Sequence, residues 1–179
     1  MIKLIIFDAD GTLIDRESGV LLPGVGDFFD LIHGARNRPA VAVATNQGGV
    51  GCRVGFDGFG RPERYPTEAE ALARYQALAE RAGARLYLCF AYQAKSGQWS
   101  AAPPDTANPD YWRPDWRKPS PGMLLQAMRD AAVAPSATLM IGDRPEDRQA
   151  AAAAGCYFQW AQKFFAHGWE EGANYGLLR

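Results

Sequence analysis

The chain has 179 residues, of which 47% are apolar and 22% charged, and its formal net charge is −1. These values are typical of a globular protein of one domain, and the charge gives no broad basic surface for non-specific nucleic-acid binding. The three cysteines form no Cys-x-x-Cys pair and no apolar run reaches the length of a membrane span. We therefore expect reduced thiols, a cytoplasmic location and no membrane association, with a monomer favoured.

Short apolar segments alternate with helical patterns along the chain. The predicted strands cover residues 2–7, 40–44, 85–91, 137–141 and about 156–158. The predicted helices cover about 24–35, 67–82, 121–133 and 146–154, with a last helix from about 161. This alternation predicts an α/β fold, a Rossmann-like three-layer α/β/α sandwich with a mainly parallel five-stranded sheet.

Two segments lack a regular pattern. Residues 94–118 are rich in proline and tryptophan without periodicity, and we interpret them as an ordered loop inserted in a single domain over 1–179. The glycine-rich stretch 48–60 lacks the Gly-Lys-Ser/Thr of a P-loop and is predicted to be a mobile loop beside the site. The first strand and first helix are too close in sequence for a large cap domain between them.

Polar side chains follow three of the predicted strands. They are Asp8 and Asp10 after the first strand, Thr45 and Asn46 after the second, and Asp143 and Asp147 after the fourth. Because ligands of open parallel sheets bind beyond the carboxyl ends of the strands, we expect these side chains to converge. Carboxylates as close as those of Asp8 and Asp10 repel each other unless a cation lies between them or one is protonated. The pattern therefore predicts a divalent-metal site, to which Lys118 adds a cation.

Each motif by itself has a structural explanation. A strand-end Asp-Gly or Thr-Asn is a common turn, an acidic residue before a helix caps it, and a single lysine is usually solvated. The occurrence of all of them in this order favours catalysis.

In this order the motifs resemble those of the haloacid dehalogenase (HAD) superfamily of phosphatases, over most of the chain. The matching segments are Asp8-Ala9-Asp10-Gly11-Thr12, Thr45-Asn46, Lys118 and Gly142-Asp143-Arg144-Pro145-Glu146-Asp147. By this resemblance the chain is a phosphoric monoester hydrolase with a HAD-like fold. A non-catalytic phosphate-binding module on the same fold is the remote alternative.

The resemblance assigns roles to the acidic residues. Asp8 would be the nucleophile that forms an aspartyl-phosphate, and Asp10 would protonate the leaving oxygen and then activate water. Mg²⁺ would bind the carboxylates of Asp8 and Asp143 and the backbone carbonyl of Asp10.

The same resemblance assigns the phosphate-binding groups. Thr45, Asn46 and Lys118 would hold phosphoryl oxygens, since positioning and charge neutralisation carry most of phosphoryl transfer. Asp147 would orient the water shell of the metal or Lys118.

A narrower resemblance concerns the substrate. The segments 45–49 and 117–123 are similar to those of histidinol phosphatases, heptose bisphosphate phosphatases and the 3′-phosphatase domain of polynucleotide kinase-phosphatases. The two metabolite families commonly carry a zinc loop of Cys and His, whereas residues 111–116 contain neither. This departure and the tail 155–165 favour a DNA 3′-phosphate end, and hence DNA repair. A sugar or amino-alcohol phosphate is the alternative.

The loop before Lys118 contains aromatic and basic residues side by side. Trp112 and Trp116, with Arg113 and Arg117, form a possible stacking surface for an unpaired base of a nucleic-acid 3′ end. The alternative is that these aromatic residues pack the loop onto the body of the protein.

Overall fold

Residues 1–55 and 62–168 are described by the structure, a computed structural model, and they contain one five-stranded sheet. Its strands are β1 (Leu4–Phe7), β2 (Ala40–Asn46), β3 (Arg85–Cys89), β4 (Thr138–Gly142) and β5 (Tyr157–Trp160). All neighbouring pairs are parallel, in the order β3-β2-β1-β4-β5. The predicted Rossmann-like α/β fold is confirmed, and β1 lies at the centre of the sheet.

Helices connect these strands. They are α1 (Val25–Gly34), α2 (Gly48–Gly55), α3 (Glu68–Ala82), α4 (Gly122–Ala131), α5 (Pro145–Ala154) and the short α6 (Ala161–Lys163). The start of α3 follows its sequence signal: Thr67 and Glu70 form a capping box, which satisfies two N–H groups at the helix start. In the part of the chain that is described, no helix is long and apolar enough to cross a membrane.

The two faces of β1 are buried by different helices. Ile5 and Phe7 belong to an apolar cluster with α1 and α3, whereas Leu4 and Ile6 belong to one with α4 and α5. This division follows from the alternation of side chains along a strand. Because β1 is buried on both faces, its polar residues lie at the carboxyl end, where the chain leaves the core.

The prediction of a loop over residues 48–60 was wrong for its first part. Residues 48–55 form α2, and residues 56–60 lie outside the described ranges. Gly51 is required for packing, because a Cβ there would collide with the carbonyl oxygen of Phe90. The glycines that suggested mobility therefore include one that lets α2 approach the chain after β3 closely.

Candidate active site

Asp8 lies at the carboxyl end of the central strand. Its backbone N–H donates to the carbonyl of Ile141 at 2.9 Å, which continues the pairing of β1 with β4. One carboxylate oxygen each of Asp8, Asp143 and Asp147 lie within 4.8 Å of one another. The fold therefore brings together the acidic residues that follow β1 and β4.

Gly11 makes room for this acidic cluster. It has a φ of 85°, which disfavours any other residue, and a Cβ there would collide with the carboxylate of Asp143. Glycine at this turn therefore has two roles. It allows the backbone to adopt a positive φ, and it leaves space for the carboxylate of Asp143 beside the turn.

Lys118 is buried and has an oxygen partner for each of its three ammonium hydrogens. Its Nζ lies 2.6 Å from Oδ1 of Asp8, 2.7 Å from Oδ1 of Asp147 and 2.8 Å from the carbonyl of Ala44. A direct bond from Lys118 to a phosphoryl oxygen would need one of these contacts to be exchanged. In this structure Lys118 therefore binds the carboxylate of Asp8 and fixes its orientation.

Burial and charge act in opposite directions on this pair. Burial raises the pKa of Asp8 to about 6 against the lowering effect of Lys118, and Asp147 and Asp143 add to the rise. For Lys118, burial alone would lower the pKa, but Asp8 and Asp147 outweigh it and hold the pKa above its usual value. At neutral pH the structure therefore supports an ionised Asp8 beside a cationic Lys118.

The remaining carboxylates are suited to a divalent cation. Asp147 is occupied, because Oδ1 binds Lys118 and Oδ2 accepts the backbone N–H of Arg144 at 3.0 Å. Asp143 is an exposed residue, yet burial of its carboxylate and the charge of Asp147 raise its pKa. An all-oxygen donor set whose members resist ionisation without a cation fits Mg²⁺, with Asp8 and Asp143 as its carboxylate ligands.

Thr45 and Asn46 follow β2 but differ in their surroundings. Thr45 is buried and lines the cleft above Asp8, with its Oγ1 accepting from Nε2 of Gln47 at 3.0 Å. The amide of Asn46 instead binds the backbone of Lys118 at both ends, at 2.8 and 3.0 Å. The side-chain amide of Asn46 therefore holds Lys118 in place, and a phosphate contact of Asn46 stays a prediction.

Asp10 is held by residues that the sequence analysis did not identify. Its Oδ2 accepts from the hydroxyl of Tyr75 at 2.7 Å and from Nε2 of Gln47 at 2.9 Å. Nη2 of Arg74 lies 3.7 Å from Oδ1 and donates to the carbonyl of Arg16 at 2.7 Å. Gln47 directly follows Thr45-Asn46, and this position could have indicated a site residue in the sequence. Tyr75 fits the apolar face of α3, so nothing in the sequence indicated its role.

An open cleft of about 1060 Å³ lies above these residues. Among the described residues that line it are six carboxylates and six cationic side chains. The cations are Arg16, Arg64, Arg74, Arg117, Lys118 and Arg144. The described lining of the cleft therefore combines both signs of charge and has no excess of cations.

The structure does not support the predicted stacking surface. Trp112 and Trp116 are each only 4% exposed. Trp112 packs edge-on against Phe90, with ring centroids 5.7 Å apart, and its Nε1 donates to Oγ1 of Thr106. Trp116 packs against Tyr87 on the other side of the sheet. Indoles buried in this way cannot stack on a base, and the loop-packing alternative explains them.

The two arginines of the same loop are also engaged. Arg113 forms a bidentate pair with Asp115, at 3.1 and 2.6 Å, and its guanidinium lies over the ring of Trp116. Arg117 donates to the carbonyl of Ala91 at 3.0 Å and lines the cleft.

Comparison with known sequences finds similarity over short segments of the chain. The family model described as HAD-hydrolase-like matches residues 115–160. The D-glycero-β-D-manno-heptose-1,7-bisphosphate 7-phosphatase of Photorhabdus laumondii is 49% identical over 49 residues, 27% of this chain and 26% of that protein. That of Pasteurella multocida is 52% identical over 33 residues, 18% of each chain. The aligned segments thus span about a quarter or less of these curated relatives.

Solved structures extend the similarity over most of the chain. The D,D-heptose 1,7-bisphosphate phosphatase from B. bronchiseptica, complexed with magnesium and phosphate, is 25% identical with a TM-score of 0.59. That match covers 93% of this chain and 87% of the other. A HAD-like phosphatase from Mesorhizobium loti, at 24% identity and a TM-score of 0.52 over 87% and 69% of the chains, shares the fold.

A parallel sheet with aspartates after two adjacent strands, and a buried lysine paired with Asp8, is an arrangement suited to phosphoryl-transfer chemistry. The chain is similar to HAD-hydrolase-like proteins over residues 115–160, and it shares the fold of the solved D,D-heptose 1,7-bisphosphate phosphatase over most of its length.

Proposed function

We propose that this protein is a Mg²⁺-dependent phosphomonoesterase that hydrolyses a small phosphorylated metabolite through an aspartyl-phosphate on Asp8. The observation that carries the proposal is the cluster of Asp8, Lys118 and Asp143. A buried nucleophile is held ionised by a lysine, and a second carboxylate stands close enough to share a cation with it.

The proposed reaction uses Asp8 and Asp10 in turn. A carboxylate oxygen of Asp8 forms a bond to phosphorus while the bond from phosphorus to the leaving oxygen breaks, and Asp10 gives that oxygen a proton. Asp10 then takes a proton from a water that attacks the aspartyl-phosphate, which releases inorganic phosphate and restores Asp8. The carboxylates of Asp8 and Asp143 would hold Mg²⁺, which would neutralise the negative charge of the phosphoryl group.

Two observations favour a metabolite over a DNA 3′-phosphate end. The tryptophans that would have stacked a base are buried, and the described residues that line the cleft include as many carboxylates as cations. A nucleic-acid strand is bound mainly through an excess of positive charge and by stacking on aromatic side chains. The named relatives are heptose bisphosphate phosphatases, so heptose 1,7-bisphosphate is the first substrate to test. Action on polynucleotide ends stays a prediction.

The test is a phosphate-release assay with heptose 1,7-bisphosphate, histidinol phosphate and a 3′-phosphorylated oligonucleotide, each with and without a chelator. We expect release that needs Mg²⁺, with the highest kcat/KM for the sugar phosphate. The Asp8→Asn variant is the matched control, because it keeps the shape of the side chain and removes the nucleophile. Release equal to that of Asp8→Asn on every substrate would overturn the proposal, and preference for the oligonucleotide would overturn its substrate class.

A further inference from the structure

One oxygen of Asp10 is anchored by two donors from different parts of the fold. Oδ2 accepts from the hydroxyl of Tyr75 at 2.7 Å and from the side-chain amide of Gln47 at 2.9 Å. Oδ1 accepts no hydrogen bond from the described residues. Rotation of the carboxylate would break both bonds, so the two donors determine the direction in which Asp10 points.

Both donors are themselves fixed. Tyr75, on α3, is 3% exposed and belongs to the same apolar cluster as Phe7, so its ring cannot shift without disturbing the core. The backbone N–H of Gln47 donates to the carbonyl of Cys89 at 2.7 Å, and its side chain also donates to Oγ1 of Thr45. The orientation of Asp10 is thereby linked to the core and to the hydroxyl at the end of β2.

We propose that Tyr75 is a positioning residue for the acid and base Asp10, with Gln47 as its second support; the inference rests on the proposed phosphatase function. The hydroxyl of Tyr75 donates its hydrogen bond to Asp10, and the hydrogen bonds of Lys118 go to other groups. Tyr75 acts through Asp10, because a proton passes to the leaving oxygen only when the two oxygens lie within about 2.6–3.2 Å. A carboxylate free to rotate spends less time in that geometry.

The test compares two leaving groups in the Tyr75→Phe variant, which keeps the ring and removes the hydroxyl. A sugar phosphate needs a proton on its leaving oxygen, whereas 4-nitrophenyl phosphate does not. We expect kcat/KM for the sugar phosphate to fall about tenfold or more, and that for 4-nitrophenyl phosphate to change less than about threefold. Acid quenching should also trap more phosphoenzyme, because hydrolysis of the intermediate needs Asp10 as a base. A merely structural role would lower both kcat/KM values in the same ratio.

The chain offers a matched control in Tyr87→Phe. Tyr87 is 5% exposed, and its hydroxyl also donates to a carboxylate at 2.7 Å, that of Asp130. It does not line the catalytic cleft. We expect this variant to keep the wild-type ratio between the two substrates.

Gln47→Met gives an independent test should Tyr75→Phe fail to fold, since Gln47 is half-buried and outside the core. Like Tyr75→Phe, it should lower kcat/KM for the sugar phosphate more than kcat/KM for 4-nitrophenyl phosphate. An active wild-type enzyme with unchanged ratios in the folded variants would overturn the positioning role alone. Wild-type activity no higher than that of Asp8→Asn would overturn the proposed function, and the inference with it.

Discussion

Oδ1 of Asp147 lies 2.7 Å from Nζ of Lys118, and each of the two side chains is 2% exposed. Asp147 belongs to the first turn of α5, whereas Lys118 ends the long loop before α4. The pair therefore joins two segments that follow different strands and holds the lysine against Asp8.

Removal of this partner should destabilise the protein. In Asp147→Ala the buried ammonium of Lys118 keeps only Asp8 as a counter-charge, and we expect the free energy of unfolding to fall by about 2–4 kcal/mol. Urea denaturation measures the change. Glu146→Ala, next to it and exposed, is the control and should change the free energy by less than about 0.5 kcal/mol. Equal stability of the two variants would contradict a structural role for the pair.

Substitution at Asp10 should separate the two halves of the reaction. Asp10→Asn keeps the nucleophile but has no carboxylate to activate water, so we expect phosphoenzyme to form and kcat to fall by about 10²–10⁴-fold. Acid quenching of a reaction with labelled substrate measures the trapped intermediate. Asp8→Asn should trap none, and equal labelling of the two variants would speak against a covalent step on Asp8.

Mg²⁺ binding should weaken as the pH falls. The pKa of Asp8 is raised to about 6 by burial, and that of Asp143 is also raised, so protons compete with the cation below that pH. Without the cation, the raised pKa means that Asp8 contributes stability at a pH below its usual value of 3.8, and this contribution is lost as the pH rises through about 6.

We therefore expect added Mg²⁺ to raise Tm clearly at pH 7.5 and little at pH 5, as measured by thermal unfolding with and without a chelator. Asp8→Asn should show a smaller dependence on pH, because its side chain takes up no proton. A shift in Tm of the same size at both pH values would contradict this account.

Gly11→Ala tests the approach of Asp143 to the turn after β1. The new Cβ would meet the carboxylate of Asp143 and adopt a φ of 85°, and we expect a loss of about 2–3 kcal/mol in stability together with weaker Mg²⁺ binding. Gly97→Ala is the matched control, since Gly97 has a φ of 89° with open space around it. It should cost about 1 kcal/mol and leave Mg²⁺ affinity, measured by calorimetric titration, unchanged.

Trp112→Ala tests the packing role of the long loop. Removal of a buried indole that contacts Phe90 should lower the free energy of unfolding by about 3–5 kcal/mol, without a selective effect on any one substrate. Trp99, which is half-buried, gives the control Trp99→Ala, with a smaller loss in urea denaturation. A KM raised for the 3′-phosphorylated oligonucleotide alone, at unchanged stability, would restore the stacking hypothesis.

The fold was predictable because its signals are local. The apolar run of β1 between residues 2 and 7, and the cap and stop of α3, depend on residues a few positions apart. The boundaries at Thr67 and Gly83 were therefore predicted to the residue. The helix at 48–55 was missed, because its glycines meet the rest of the chain only in three dimensions and resemble a loop in the sequence.

The partners of the acidic residues were predictable only in part. Asp8, Asp143 and Lys118 follow strand ends or precede a helix, and parallel topology brings such positions to one edge of the sheet. Tyr75 and Arg74 are ordinary helix residues in the sequence, and their contacts with Asp10 appear once α3 is packed on β2 and β3.

The sequence by itself thus determined the order of elements and the residue types at the edge of the sheet, because strand periodicity and chain order carry both. Only the tertiary structure decided which of those side chains can contact a substrate and which are used in structural contacts. It uses the amide of Asn46 to hold Lys118 and buries Trp112 and Trp116 in the core. The physical reason is that a polar or aromatic group has one set of partners at a time, and which neighbour it meets depends on segments that are distant in the chain.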